Sequence, residues 1–148
     1  MGLLDSDSED PQSKMRRYVI LGLVAVVALA VIGLYVTRYS GEKRVVRQFF
    51  DTLVQGDTEA AYRLWQAKPT YAYKDFVDDW GPTGFYGPVK SYQIITAQRP
   101  GGASGVVVVV EVSPFAPFPS DTESEKLQKN KEVKIWVERE TKALSFAP

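Results

Sequence analysis

The sequence predicts an α+β protein with one N-terminal transmembrane helix, then three helices packed on a curved, mostly antiparallel four-stranded sheet of cone-like shape. Residues 18–36 form an uncharged apolar run, residues 43–80 repeat apolar side chains at helical spacing, and β-forming residues dominate from residue 89 onward. These three observations divide the chain into a tail (1–17), a transmembrane helix (18–37), a linker (38–42) and an α+β domain (43–148).

The composition excludes several kinds of chemistry. The chain contains no cysteine and no histidine, so it lacks the usual ligands of zinc, thiol nucleophiles and imidazole bases. Its 18 basic residues balance 18 acidic ones, whereas a general nucleic-acid-binding protein carries a basic excess. We therefore expect no metal site, no cofactor and no nucleic-acid partner.

The apolar run is predicted to cross a membrane. Tyr18–Val36, "YVILGLVAVVALAVIGLYV", would form a helix of about 28 Å, close to the hydrocarbon thickness of a bilayer. A core helix of this uniformity would need a larger domain around it. A cleavable signal peptide has a shorter run, of about 7–15 residues, followed by a small-x-small site. An uncleaved single-pass anchor is the better interpretation.

The orientation of this anchor depends on the flanking charges. Basic residues flank both ends of the run: Lys14, Arg16 and Arg17 precede it, and Arg38, Lys43, Arg44 and Arg47 follow it. The positive-inside rule is therefore nearly tied. A short tail before an apolar run usually acts as a signal anchor. We expect an extracytoplasmic C-terminal domain, on the periplasmic side of a bacterial inner membrane.

Three amphipathic helices are predicted after the anchor. The apolar positions of the three helices are Val45, Val46, Phe49, Phe50, Leu53 and Val54; Ala61, Leu64 and Trp65; and Tyr73, Phe76, Val77 and Trp80. Gly56 suits the end of the first helix, and Asp57 or Thr58 suits the start of the second, "TEAAYRLWQA". Gly81, with positive φ, and Pro82 are expected to end the third.

Four strands are predicted in the second half of the chain. They are "VKSYQIITAQ" (89–98), "VVVVVEV" (106–112), "EVKIWVERE" (132–140) and "KALSFA" (142–147). The valine run predicts a central strand covered on both faces. The third strand alternates apolar and polar residues, which is typical of a strand with one solvent-exposed face.

A long proline-rich loop separates the second and third strands. Residues 113–131 interleave three prolines with Phe115 and Phe118 and then become charged. One interpretation is a packed cover over the sheet. The other is a segment that docks a partner through Phe115 and Phe118, because loops of this length are often functional.

The element order suggests a family. Three helices followed by four strands bury the apolar faces of both layers most economically when the helices pack on the concave side of a curved sheet. The stretch "VVRQFFDTLVQGDTEAAYRLW" has a helix, a Gly-Asp step and a second helix opening with Glu-Ala-Ala-Tyr. From residue 41 to residue 148 the chain resembles the nuclear transport factor 2-like superfamily, which includes steroid isomerases and polyketide cyclases. The shared segment implies the fold and carries no catalytic residue.

A second likeness concerns the layout. One membrane helix followed by a small domain, with "FYGPVKSYQI" leading into a long strand, is similar to the cytochrome oxidase assembly factor 1 family. This likeness implies a chaperone-like or assembly role without catalysis.

The stretch "DFVDDWGPTGFYGP" (75–88) has three interpretations. In an enzyme, Asp78 or Asp79 would be a base and Tyr73 or Tyr86 an oxyanion donor. Alternatively, its glycine-rich loop could hold an anion, although it follows a helix instead of preceding one. The third interpretation is a structural joint between helix and sheet, which we favour.

A cavity behind this joint would hold a small apolar ligand. Its predicted lining is Tyr62, Trp65, Tyr73, Trp80, Tyr86 and Trp136, although aromatic side chains at helical spacing more often form ordinary core. The leading hypothesis is a non-catalytic membrane protein whose domain binds a protein partner at the membrane surface, as an accessory subunit or assembly factor. Ligand binding in the cone is the alternative, and a cofactor-free isomerase or cyclase ranks third. We name no catalytic residue.

Overall fold

A computed structural model describes residues 10–65 and 68–148 of the chain. The described residues form two compact units, divided between Arg38 and Tyr39. The elements in chain order are α1 (Pro11–Thr37), α2 (Ser40–Val54), α3 (Thr58–Trp65), α4 (Tyr73–Trp80), β1 (Ser91–Gln98), β2 (Gly105–Ser113), α5 (Ser124–Leu127), β3 (Lys131–Glu138) and β4 (Leu144–Phe146). The α+β class is confirmed, and the cone-like shape stays a prediction. Residues 1–9 of the predicted tail lie outside the described residues.

Helix α1 is long and apolar enough to cross a membrane, and none of its residues is buried. It begins at Pro11, earlier than the predicted boundary at Tyr18. The Asp10 side chain accepts a hydrogen bond from the Gln12 N–H at 3.2 Å, and proline suits the first helical position. The polar segment before the apolar run is therefore part of the same helix.

Helices α2, α3 and α4 bury one face each, as predicted, but Val54 and Tyr73, which were assigned to those faces, are each 40% exposed. Gly56 follows α2 with a φ of 80°, and the Asp57 carboxylate accepts the Ala60 N–H at 3.0 Å at the start of α3. Helix α2 begins at Ser40, inside the predicted linker of residues 38–42. Glu42 from that segment is buried, which explains the difference, because a buried side chain belongs to the fold rather than to a linker.

The four strands form one antiparallel sheet in the order β1-β2-β3-β4. A register shift between Ile94 and Thr96 interrupts the pairing of β1 with β2. The predicted central position of the valine strand β2 is confirmed, but its coverage on both faces is wrong. The even-numbered valines are buried and Val107 and Val109 are only half-buried, because the helices cover a single face.

The layer between helices and sheet is filled by aromatic side chains. Phe49, with no exposed surface, lies at its centre, and its ring centroid is 5.1 Å from that of Phe50 and 5.0 Å from that of Trp65. Its ring also meets Trp80 edge-on, with centroids 5.3 Å apart. Aromatic pairs in this geometry stabilise a core beyond the area they bury. The helices and sheet are thus joined by a packed interior.

Candidate functional site

The six aromatic residues predicted to line one cavity do not line the same cavity, although the Trp65 and Trp80 ring centroids are 5.7 Å apart. Trp65 and Trp136 line a cavity of about 480 Å³, and Tyr62 and Tyr73 line a smaller one of about 230 Å³. Trp80 is 2% exposed and stacks on Tyr86 with ring centroids 4.8 Å apart. The pair Trp80–Tyr86 therefore packs in the core.

The cavity of about 480 Å³ lies beside β4. Its lining includes Tyr71 and Phe146 in addition to the two tryptophans, and Glu138 contributes a carboxylate. A volume of about 480 Å³ is within the usual range of small-molecule pockets, roughly 300–1,000 Å³. The predicted role of Trp65 and Trp136 in a ligand cavity stays open on this geometry.

The acids of the stretch 75–88 all have local partners. Asp75 accepts the Ala72 N–H at 3.1 Å at the start of α4, and Asp78 pairs with Lys74 at 3.1 Å. Asp79 accepts a short hydrogen bond, 2.5 Å, from the hydroxyl of Tyr71. The hydroxyl bonded to Asp79 thus belongs to Tyr71, a residue outside the enzyme interpretation, in which Asp78 or Asp79 is the base and Tyr73 or Tyr86 the oxyanion donor.

Burial and the neighbouring Asp79 carboxylate together raise the pKa of the Tyr71 hydroxyl well above its usual range. Burial also raises the pKa of Tyr86, with a smaller contribution from the charge of Asp79. Both phenols therefore stay protonated at neutral pH, and they can donate hydrogen bonds but not act as bases. The Tyr62 hydroxyl extends this network by donating to the Tyr71 carbonyl at 2.9 Å.

The glycines of the stretch permit close backbone contacts. A Cβ atom on Gly87 would lie 1.8 Å from the Gly81 carbonyl oxygen, and one on Gly84 would lie 2.8 Å from the Asp79 backbone. The expected positive φ of Gly81 is wrong, since its φ is −68°. Gly81 is required because a Cβ would lie 2.6 Å from the Val77 carbonyl. This geometry fits the structural joint.

The proline-rich loop is held against the sheet at its start. The Ser91 hydroxyl donates to the Phe115 carbonyl at 2.6 Å, and the Phe115 N–H donates to the hydroxyl of the buried Ser113 at 3.2 Å. Lys126 and Lys129 each place an ammonium 5.7 Å from the Phe115 ring centroid. Phe115 and Phe118 are both half-buried. Their predicted docking role stays a prediction.

The sheet face turned away from the helices, here called the outer face, carries half-buried apolar side chains. Val107 and Val109 of β2 lie beside Thr96 and Lys134 around an open cavity of about 500 Å³. Trp136 pairs with Val107 across the strands and is also half-buried. The outer face therefore combines apolar and charged groups.

Trp136 has one polar contact on the outer face and lies over a glycine. Its indole N–H donates to the Glu138 carboxylate at 3.3 Å. Its ring lies over Gly105, where an added Cβ would come within 2.4 Å of the indole. A side chain at position 105 would therefore collide with the indole in its present arrangement.

A buried carboxylate forms a second polar cluster, at the start of α2. The side chain of Glu42 is 8% exposed and lies 3.2 Å from the Lys142 ammonium and 3.6 Å from the Arg139 guanidinium. Burial alone would raise the pKa of Glu42, but backbone hydrogen bonding and the two cations outweigh it and lower the pKa below its usual value. The cluster ties α2 to the β3–β4 turn.

Sequence reasoning missed Glu42, Tyr71 and the outer face. The hydrophobic pattern "EKRVV" gives no sign that the acid is buried, because its partners lie about a hundred residues away in sequence. Among residues 10–65 and 68–148, no three acidic side chains converge as a metal-binding group. No protein-family model, curated protein or solved structure matches this chain.

Proposed function

We propose that this chain is a single-pass membrane protein whose C-terminal domain binds a protein partner at the membrane surface. In this role it serves a membrane complex as an accessory subunit or assembly factor and has no catalytic activity of its own. The observation that carries the proposal is the outer face, where Val107, Val109 and Trp136 remain partly exposed.

The chemistry of the outer face suits a protein better than a small molecule. Apolar side chains on two adjacent strands line a wide, open depression, and their lost contact with water on association favours binding. An oriented tryptophan at the margin is the kind of residue that dominates interface energies. By contrast, the interior between helices and sheet is filled by the rings around Phe49.

The anchor restricts where such a partner is found. Helix α1 exposes apolar side chains on all sides, so a bilayer or another apolar medium must cover them. Two residues separate α1 from α2, so three Cα–Cα steps join the helices and reach no more than about 11 Å. The partner is therefore a protein held in or on the same membrane. We place the domain on the extracytoplasmic side, as the signal-anchor interpretation expects.

The test is co-purification of the tagged full chain in mild detergent, followed by mass spectrometry. The double variant Val107→Lys/Val109→Lys places two charges on the outer face without touching the core. The matched variant Phe115→Ala/Phe118→Ala removes the loop aromatics. Wild type is expected to retain one membrane protein at fixed ratio, the outer-face variant to lose it, and the loop variant to keep it.

Two results would contradict parts of the proposal. If only the loop variant lost the partner protein, the docking site would lie at Phe115 and Phe118 instead of on the outer face. Absence of any partner at fixed ratio from wild type would contradict partner binding itself. Recovery in the membrane fraction after an alkaline wash tests the anchor separately.

A second candidate function is the binding of a small apolar ligand. The cavity of about 480 Å³ beside β4 favours it, since Trp65, Tyr71 and Trp136 give it aromatic walls. Native mass spectrometry of the purified chain would detect a copurifying mass of a few hundred daltons, as expected for a pocket of this size. A cofactor-free isomerase or cyclase, and membership of the nuclear transport factor 2-like superfamily, stay predictions.

A further inference from the structure

The start of α2 is rich in basic residues, and it contacts two further basic residues, in the β3–β4 turn, through the buried Glu42. Lys142 and Arg139 both bind the buried Glu42, which lies next to Lys43 and Arg44 in α2. Arg47 follows one helical turn after Lys43 and is exposed. We define these five cations as the basic surface: Lys43, Arg44, Arg47, Arg139 and Lys142.

The basic surface retains charge after its internal pairing. Glu42, the exposed Glu140 and Asp51, which follows Arg47 by one helical turn, are its acidic neighbours within the two elements, so five cations face three carboxylates. The side chains of Lys142 and Arg139 stay 39% and 46% exposed while they contact Glu42. Their remaining N–H groups therefore reach solvent and can bind an external anion.

The position of the basic surface in the chain identifies the anion. Helix α2 begins at Ser40, and α1 ends at Thr37. Whatever bilayer surrounds α1 therefore has its headgroups within a few residues of Lys43 and Arg44. Clustered Lys and Arg next to a membrane helix are attracted to anionic lipids, by about 1 kcal/mol for each charge, which is a factor of about five in affinity.

We infer that the basic surface binds anionic phospholipid headgroups of the membrane in which α1 is anchored. Glu42 has a positioning role, because its contacts hold the β3–β4 turn beside the start of α2. Headgroup binding would restrain the domain at the bilayer and so limit the directions in which the outer face can meet a partner. The inference rests on the membrane anchoring in the proposed function and does not depend on the partner.

The experiment titrates phosphatidylglycerol into the detergent-solubilised full chain and measures binding by native mass spectrometry. Phosphatidylcholine, which is zwitterionic, serves as the reference lipid. The test variant is Lys43→Gln/Arg44→Gln/Arg47→Gln, which leaves the Glu42 contacts intact. The control variant removes three exposed lysines elsewhere, Lys90→Gln/Lys129→Gln/Lys134→Gln. Lys14, Arg16 and Arg17 are unchanged in every sample.

Wild type is expected to prefer phosphatidylglycerol, and the test variant to bind it about fivefold more weakly for each charge removed. The control variant should stay within about twofold of wild type if electrostatics at the basic surface dominate. Equal binding by the test and control variants would overturn the inference, as would equal uptake of the two lipids by wild type. Intrinsic tryptophan emission checks that each variant is folded.

This outcome is separable from that of the proposed function. Release of the chain by an alkaline wash would contradict the anchor, whereas the lipid titration reads the basic surface directly. Val107→Lys/Val109→Lys should abolish partner recovery and leave lipid binding unchanged.

Discussion

Consecutive valines of β2 have opposite environments. Val106, Val108 and Val110 have no exposed surface, whereas Val107 and Val109 are half-buried on the outer face. The chemistry of the side chains is identical, so the difference comes only from the face of the strand that each occupies. The inner valines are accounted for by folding. The outer valines have no helix layer to cover them, and they are the residues from which we infer a partner.

The largest loss of stability is expected when a ring is removed from the aromatic layer that covers the inner face of the sheet. Phe49→Ala should lower the free energy of unfolding by about 3–5 kcal/mol, because it removes a buried ring in contact with four other aromatics. Urea unfolding of the full chain in detergent, followed by tryptophan emission, measures it. All three tryptophans lie in the domain, so the signal reports the domain alone. The control Phe85→Ala alters a ring that is 62% exposed and should cost about 1 kcal/mol or less.

The two faces are compared directly by one substitution made on each. Val108→Thr introduces a hydroxyl at a site with no exposure and should cost about 1–3 kcal/mol. Val109→Thr places the same hydroxyl on the outer face, where water can bind it, and should change stability by less than about 0.5 kcal/mol. Equal losses of stability in urea unfolding of the two variants would mean that the outer face is covered. They would contradict the difference between the two faces.

The ion pairs that join Glu42 of α2 to the β3–β4 turn should contribute a stability that depends on pH. Glu42→Gln removes the charge paired with Lys142 and Arg139 and should cost about 1–2 kcal/mol at neutral pH, between the values for exposed and buried ion pairs. Because folding lowers the pKa of Glu42 below 4.5, its contribution is full above about pH 4.5. The contribution is lost as the pH falls through the lowered folded-state value.

Thermal unfolding of wild type and Glu42→Gln across this pH range checks the prediction. The two midpoints should differ at pH 7 and converge in acid. A difference that does not shrink as the pH falls below 4.5 would assign the effect to packing instead of charge.

The smallest effect on stability is expected at the margin of the outer face. Gly105→Ala would place a Cβ against the Trp136 indole, which has room to turn because it is half-exposed, so the cost should be about 1 kcal/mol or less. Loss of the 3.3 Å contact between the indole N–H and Glu138 should shift one of the three indole resonances in an NMR spectrum. Three unshifted indole resonances would show that Gly105 does not position the ring.

The sequence predicted the elements well where a periodic apolar pattern existed. The buried faces of α2, α3 and α4 follow from spacing, apart from the exposed Val54 and Tyr73, and the central position of β2 follows from its continuous valine run. Gly56 follows the end of α2 as expected. The sequence pattern could not show whether one or both faces of the valine run are covered. An uninterrupted run of one residue type carries no period, and the number of covering layers is a tertiary property.

The polar groups of the candidate sites were less predictable. Glu42 is buried through partners in the β3–β4 turn, and Tyr71 meets Asp79 because α4 and the segment before it fold back on each other. Neither contact follows from spacing in the chain. The glycines of the joint were recognised, but the reason for Gly81 is a close carbonyl rather than its φ. Close approach is visible only in three dimensions.

The central claim is that the outer face contacts a protein partner, and site-specific photo-crosslinking in cells tests it most directly. A photoreactive amino acid is introduced at Val109 of the full chain, and at Phe115 in a parallel sample. The account predicts one discrete adduct from position 109, with a protein of the same membrane, and none from position 115. No adduct from position 109, or an adduct from position 115 alone, would contradict it.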